Sequence, residues 1–422
     1  MSAHRPHDST RRDVLRQALA LALGAAVSLG LARFSYALLL GPMRDDLGWN
    51  YVTAGAMNTA NAAGYLLGAV LTPRWMARHG PKSALVGGGL AAAALLALHA
   101  GVRTDALLAG LRLLCGMASA ATFVAGGLLA ARLASRAAGR VSPGLVLGLY
   151  YGGTGLGIIV SAGLVPVVIG AGTGAGLPPV WPPFWPSGWP SGWPAAWLAL
   201  GAVAGLMTGL MHLGTRADAP AAAAAQALLP VPWRRLGFAL AGYFLFGLGY
   251  IGYMTFIVTL LREQQWGGAA ITAFYSTLGL GVVASSWLWA GLLQRWHGGQ
   301  PMALLNALLA LATLLPVLSA RPVAVFASGA LFGAVFLSVV AASTAVVRHN
   351  LPPAAWPQGI TAFTVIFALG QIAGPSVVGL IADGPGGLRR GLAVSAAVLA
   401  LGAVLAWRQR GLVGVAAQPA SV

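Results

Sequence analysis

Residues 14–41 read VLRQALALALGAAVSLGLARFSYALLLG, an apolar run with one misfit in its second half, the arginine of GLARFSY at Arg33. Crossing the ~30 Å hydrocarbon core takes about 20 predominantly apolar residues in helical form, so the run predicts a membrane-spanning helix. A charge inside such a helix costs about 2.5 kcal/mol or more and is tolerated where it faces a bundle interior or a water-filled cavity. There it marks a pathway, and the surroundings of Arg33 become the key to the molecule.

The rest of the chain has the same apolar character. Of 422 residues, 58% are hydrophobic and 8% charged, and the mean hydropathy is +0.79, more apolar surface than a water-soluble domain can hide. Twelve apolar runs of spanning length occur, at 14–41, 52–73, 83–101, 106–131, 142–170, 195–214, 236–261, 269–293, 302–319, 322–347, 359–382 and 389–407. Only helices and closed barrels satisfy the backbone in lipid, and these runs lack the alternation of barrel strands. The expected fold class is all-α integral membrane, with twelve transmembrane helices. The net charge of +17 is scattered at the ends of the runs and forms no basic patch, which argues against nucleic acid as a partner. Cys115 is the single cysteine and reads as a small packing residue. No clustered His, Cys, Asp or Glu offers a metal site or enzyme chemistry, and no glycine run continues into a phosphate loop, so no cofactor is expected. A sensor sharing the fold would need a soluble signalling domain.

With the N-terminus inside, seventeen of the 25 basic residues fall on that side and six on the other, while Arg33 and Arg112 fall within helices. The excess predicts cytoplasmic termini in the plasma membrane, the inner membrane if the source is bacterial. Residues 1–13 and 409–422 are tails, 14–214 and 236–408 are six-helix bundles, and 215–235 is the cytoplasmic linker. The arginine pair Arg11–Arg12 before an apolar run resembles a twin-arginine export signal. The run is too long for a signal core and contains Arg33, so a retained first helix explains the same residues. Between helices five and six, VWPPFWPSGWPSGWPAAW places Trp181, Trp185, Trp189, Trp193 and Trp197 four apart among prolines that prevent a continuous helix. It reads either as an aromatic lid or partner site, or as an expanded loop resting at the headgroup level.

The two bundles match each other at an offset of 217 residues. Gly30 pairs with Gly247, Tyr36 with Tyr253, Trp49 with Trp266, Arg78 with Arg295, Gly116 with Gly333, and Gly153 and Gly157 with Gly370 and Gly374. Agreement on one offset at equivalent helices indicates a duplication of six helices. Such repeats are characteristic of secondary transporters, whose substrate site lies at the repeat interface near the midplane.

The blocks GLARFSYALLLGPMRDDLGW and NAAGYLLGAVL, with FTVIFALGQIAGPSVVGLIAD near the other end, resemble the major facilitator superfamily and, within it, the YbfB/YjiJ-type subfamily. The resemblance implies two pseudo-symmetric six-helix bundles that alternate access to a central cavity. WMARHGPK is similar to the superfamily's gating loop after helix two, keeping Arg78, Gly80 and Lys82, but Ala77 replaces its aspartate. In the second half LLQRWHGG keeps Arg295 and has Gln294 at the acidic position. RLLCG, with Arg112, Cys115 and Gly116, resembles the helix-four arginine motif of proton-coupled members. YGGTGLGIIVSAG in helix five lacks the Gly-Pro pair of drug antiporters.

Arg33 lies eight residues before Gly41 and Arg112 seven after Asp105, so both sit roughly 10–12 Å inside the outer end of their helices. All eight carboxylates, Asp8, Asp13, Asp45, Asp46, Asp105, Asp218, Glu263 and Asp383, fall in tails, loops or helix ends. No acidic partner waits in the membrane, so the two arginines bind an anionic ligand, or backbone carbonyls, or reach loop acids such as Asp45 and Asp105. The repeat sets Tyr250 against Arg33. Tyr250 and Tyr253 share a helical face, as do Arg33 and Tyr36, with packing as the alternative role for each tyrosine. Gln371 is a further polar candidate; Asn58 and Asn61 suggest interhelical bonding. His99 and His212 at helix ends offer little for proton coupling.

The expected molecule is therefore a monomeric secondary transporter of a small solute, an organic anion bound by Arg33, Tyr36, Arg112, Tyr250, Tyr253 and Gln371. Efflux of drugs or metabolites is the alternative. Symport, exchange and facilitated diffusion stay open.

Overall fold

Lipid offers a backbone N–H no water, which leaves each apolar run the helix as its only self-sufficient form. The computed structural model describes residues 10–171, 191–215 and 231–412. Among them stand α1 (Arg11–Leu47), α2 (Tyr51–His79), α3 (Pro81–Gly101), α4 (Asp105–Arg136), α5 (Pro143–Ala171), α6 (Trp193–Gly214), α7 (Trp233–Glu263), α8 (Gly268–Arg295), α9 (Gln300–Leu318), α10 (Pro322–Asn350), α11 (Pro353–Ala382) and α12 (Gly387–Arg408). Eleven of these are long and apolar enough to cross a membrane. The exception, α2, has the length, at 29 residues, but is diluted by Thr53, Asn58, Thr59 and Asn61. Those side chains turn to protein: Asn58 to Thr255, Thr59 to the Ile372 carbonyl and Asn61 to the Arg112 carbonyl.

Local sequence sets the helix ends. Thr10 and Asp13 form a capping box that starts α1 at Arg11, and Asn50 Oδ1 accepts the Thr53 N–H (2.8 Å) to start α2. Gly80 stops α2 at φ +81°, a conformation side chains disfavour, and Pro81 opens α3 at once. The linker expected over 215–235 falls largely outside the described residues, as do Trp181, Trp185 and Trp189 of the repeat. Trp193 and Trp197 lie in the first turns of α6, donating to Asp46 Oδ2 (2.7 Å) and Met43 Sδ (3.4 Å).

Helices α1–α6 and α7–α12 form two six-helix bundles, and the duplication is visible in their contacts. A Cβ on Gly116 of α4 would strike the Asn61 carbonyl of α2; one on Gly333 of α10 would strike the Leu278 carbonyl of α8. Both the glycines and the carbonyls they meet are 217 apart, so the same backbone contact occurs once in each half. The first and last helices place the described chain ends on one face, here the terminal face; the other is the distal face. Between the halves, α2 packs on α11, α5 on α8 and the end of α1 on α7.

Two features of α1 differ from expectation. The helix continues past Gly41 to Leu47, because the charged stretch Arg44–Asp46 lies beyond the hydrocarbon yet stays helical until Gly48. Its middle, Ala26–Phe34, is wound as a π-helix. Bonds of the i→i+5 type loosen the ladder, and three carbonyls of this segment accept side-chain donors from other helices. Ser28 O accepts from Ser119 Oγ (2.7 Å), Ala32 O from Arg112 Nη1 (3.1 Å) and Phe34 O from the Tyr275 hydroxyl (2.7 Å).

Candidate functional site

Arg33 sits in the last turn of the π segment, 4% exposed, and reaches across to the other half. Its Nη2 donates to Gln371 Oε1 on α11, and the same oxygen accepts the Tyr250 hydroxyl of α7 (2.9 Å). The repeat's pairing of a cation with a phenol thus becomes a three-residue junction joining α1, α7 and α11. The guanidinium carbon lies 5.4 Å from the centre of the Tyr65 ring and 5.9 Å from that of Phe34. Arg33 Nε is buried and unpartnered.

Aromatic rings continue from this junction into the second half. Tyr250 stacks on Phe246 at 4.8 Å, on Phe367 at 5.6 Å and on Phe336 at 6.0 Å, and Phe336 meets Phe34 edge to face at 5.7 Å. The result is a buried cation whose polar neighbours are a neutral amide and a phenol, set against a wall of rings. Such a site pairs one fixed positive charge with apolar surface.

Arg112, 1% exposed, is differently placed. Besides the Ala32 carbonyl it bonds Asn58 Oδ1 (3.4 Å), and its guanidinium carbon lies 4.7 Å from the Tyr36 ring centre and 5.8 Å from that of Trp197. Hydrogen bonds from a charged donor are worth about 1.5–3 kcal/mol and buried cation–π contacts up to about 2 kcal/mol. Together these offset part of the cost of burying the charge, with Arg112 Nε left unpartnered. Arg33, with one hydrogen bond and ring contacts at 5.4 and 5.9 Å, is less compensated by that one bond. The loop acids bond elsewhere: Asp46 with Arg103, and Asp105 with Trp49 Nε1 (2.7 Å).

The remaining expected residues separate. Tyr36 turns away from Arg33 and donates to the Ala54 carbonyl of α2 (2.9 Å), since the winding changes at Ser35 between the two and breaks their shared face. Tyr253 bonds Ser328 Oγ (2.7 Å) and stacks on Phe332 at 4.0 Å, within the second half, while Tyr250 reaches Gln371. The structure therefore brings together Arg33, Tyr250 and Gln371, and sets Tyr36, Arg112 and Tyr253 apart from them. Tyr65 was missed; it stands in the NAAGYLLGAVL block, where only its position in a resemblance block singled it out. Of the gating-loop residues, Lys82 Nζ donates to the Thr215 carbonyl at the end of α6 (2.6 Å), Gly80 makes the turn, and Arg78 and Arg295 are exposed at the ends of α2 and α8. His99 is buried, its ring stacked 4.4 Å from Trp197.

An apolar groove of about 470 Å³, lined by residues such as Leu240, Phe244, Ile366 and Leu401, opens on the bundle surface between α7, α11 and α12, and has no part in this site.

Known structures share the architecture. A bacterial homologue of the human lysosomal transporter Spinster, in an inward-facing and unoccupied conformation, superposes with a TM-score of 0.69 over 94% of this chain and 97% of its own at 13% identity. The nucleoside transporter NupG superposes with a TM-score of 0.67 over 92% of this chain and 97% of its own at 14% identity. These identities speak to fold alone. No curated protein matches the sequence. A family model described as "Uncharacterised MFS-type transporter YbfB" matches residues 25–407. Two duplicated six-helix bundles meeting at a buried polar junction, with a family match across nearly the whole chain, make this protein a member of the YbfB-type family of major facilitator superfamily transporters.

Proposed function

We propose that this transporter moves a small organic anion with an apolar or aromatic body, held by Arg33 with Tyr250 and Gln371, through alternating access of the two bundles. The observation that carries the reading is the charge of Arg33: a buried guanidinium whose one hydrogen bond goes to a neutral amide of the other half, where Arg112 has two within its own half. A guanidinium carries only donors and a positive charge, so the partner that suits it is an anionic acceptor. The rings of Phe34, Tyr65, Phe246, Phe336 and Phe367 supply apolar surface for the rest of the ligand. Arg112, Tyr36 and Tyr253 support the walls of the site. The basic excess on the terminal face supports cytoplasmic termini in the plasma membrane, and one chain contains both halves of the site, in keeping with a monomer.

Uptake of a panel of carboxylates into proteoliposomes tests this directly. Anions should enter faster than into empty vesicles, and Arg33→Gln should slow them at least about tenfold. Equal uptake by the variant overturns the assignment. The aromatic wall also favours a second reading, efflux of apolar compounds. That reading predicts altered resistance to toxic compounds in overexpressing cells, and fails if no compound changes its effect.

A further inference from the structure

The apolar groove on the second half lies below a cluster of arginines at the terminal face. Leu240, Ala241, Phe244 and Leu245 of α7 and Leu401 and Leu405 of α12 form its walls, and α11 closes the third side. These are outward positions of helices whose other side is core, since Ala239, Gly242, Tyr243 and Phe246 of α7 are buried. Ala241 is the smallest lining residue, where a larger side chain would fill the groove.

Gln409, which follows α12 and is 3% exposed, assembles the charges above it. Its Oε1 accepts the Ala239 N–H (3.1 Å), and its Nε2 donates to the carbonyls of Arg235 and Arg410 (2.9 Å each). One buried amide thus ties the end of α12 to the start of α7, which sets Arg234 and Arg235 beside Arg408 and Arg410. All four arginines are exposed. Trp233 and Trp407, 42% and 59% exposed, stand among them, as indoles do at the headgroup level. The groove begins a short way in: Leu240 and Leu245 follow Arg235 by roughly 7 and 15 Å along α7, and Leu405 and Leu401 precede Arg408 by roughly 5 and 10 Å along α12.

Among the described residues no carboxylate answers these charges. Asp45, Asp46, Asp105, Glu263 and Asp383 belong to the distal face, Asp13 caps α1 in the first half, and the ion pair is Arg103 with Asp46. The cluster therefore offers four guanidinium groups to an acceptor from outside the chain, and guanidinium matches the geometry of phosphate.

We propose that α7, α11 and α12 form a binding site for one anionic phospholipid of the terminal-face leaflet, its phosphate on the arginines and an acyl chain in the groove. This site is separate from Arg33 and does not depend on what the transporter carries. Lipid tails are as apolar as leucine, so the groove supplies shape rather than a hydrophobic preference. Selection rests on the headgroup, because basic groups at the surface favour anionic lipid over zwitterionic lipid.

Native mass spectrometry of the detergent-purified full chain tests this, with phosphatidylglycerol and phosphatidylcholine of identical acyl chains as probes. The adduct with one phosphatidylglycerol should form with at least about tenfold higher affinity than that with phosphatidylcholine. Arg234→Gln, Arg235→Gln, Arg408→Gln and Arg410→Gln together should abolish that preference. The same charge change at Arg11, Arg12, Arg16 and Arg74, exposed residues of the first half, should leave it intact. Ala241→Trp should weaken both lipids alike, and excess inorganic phosphate should displace neither. Should either variant fail to elute as a single folded species, Arg235→Gln with Arg408→Gln, or Leu401→Trp, takes its place with the same expectation. Equal affinity for the two lipids in the wild type, equal loss of preference in the first-half control, or wild-type binding by the groove variant overturns the proposal. So does displacement by phosphate, which would mark a free-anion site, or a dimer mass that Ala241→Trp abolishes, which would give the groove to a second copy.

Discussion

Arg33 and Arg112 are both charged, buried and carried by the first half, each with an unpartnered Nε, yet one bonds twice within its own half and the other once across to the second. Arg112 rests on a carbonyl freed by the π segment, an asparagine and two aromatic faces, all from its own half. Arg33 crosses to the other half and finds a glutamine there, with the Tyr65 and Phe34 rings of its own half at 5.4 and 5.9 Å. Burial alone does not set how well a cation is engaged; the supply of fixed dipoles around it does.

That contrast can be broken by experiment. Arg112→Ala should have the largest effect, about 3 kcal/mol of stability, because it strands Asn58 Oδ1 and the Ala32 carbonyl and empties space beside Tyr36 and Trp197. Retention of folded protein after heating would read it, and a variant as heat-resistant as wild type would erase the distinction. Arg33→Gln should come next, with uptake down at least about tenfold, or roughly 1.4 kcal/mol, and a smaller loss of heat resistance than Arg112→Ala. Tyr253→Phe removes the bond to Ser328 and should cost about 1 kcal/mol of stability while uptake stays at the wild-type rate. The smallest effect belongs to Tyr250→Phe, which frees Gln371 Oε1 from a second donor and should change the substrate KM about threefold without affecting folding. A Tyr253 variant with weaker uptake than the Tyr250 variant would move the site deeper into the second half.

Much of this was legible in the chain. Run length and the lipid constraint give helices almost without further information, and the offset of 217 gives the two halves; the Gly116 and Gly333 contacts repeat that offset in three dimensions. The site was legible in part. Gln371 and Tyr250 stood out as polar groups in apolar runs, and Gln371 accepts from both Arg33 and Tyr250. The expected shared face of Arg33 and Tyr36 did not form, because α-helical spacing fails where the winding changes, and nothing in AVSLGLARF announces a π segment. Nor does composition say which carbonyls a loosened ladder leaves for Arg112. The charge balance of the membrane interior was readable, but its local distribution needed the geometry.

The π segment also sets the direction in which Arg33 points. An i→i+5 bond encloses one residue more than the α-helical bond it replaces, and one residue corresponds to about 100° of rotation. Rewinding Ala26–Phe34 into α-helix would therefore turn Arg33 by roughly that angle against the helix below, carrying it off Gln371 while the bundles kept their places. The same rewinding would reclaim the carbonyls of Ser28, Ala32 and Phe34 from Ser119, Arg112 and Tyr275. The winding of this one segment thus sets where the cation points, independently of where the two bundles sit.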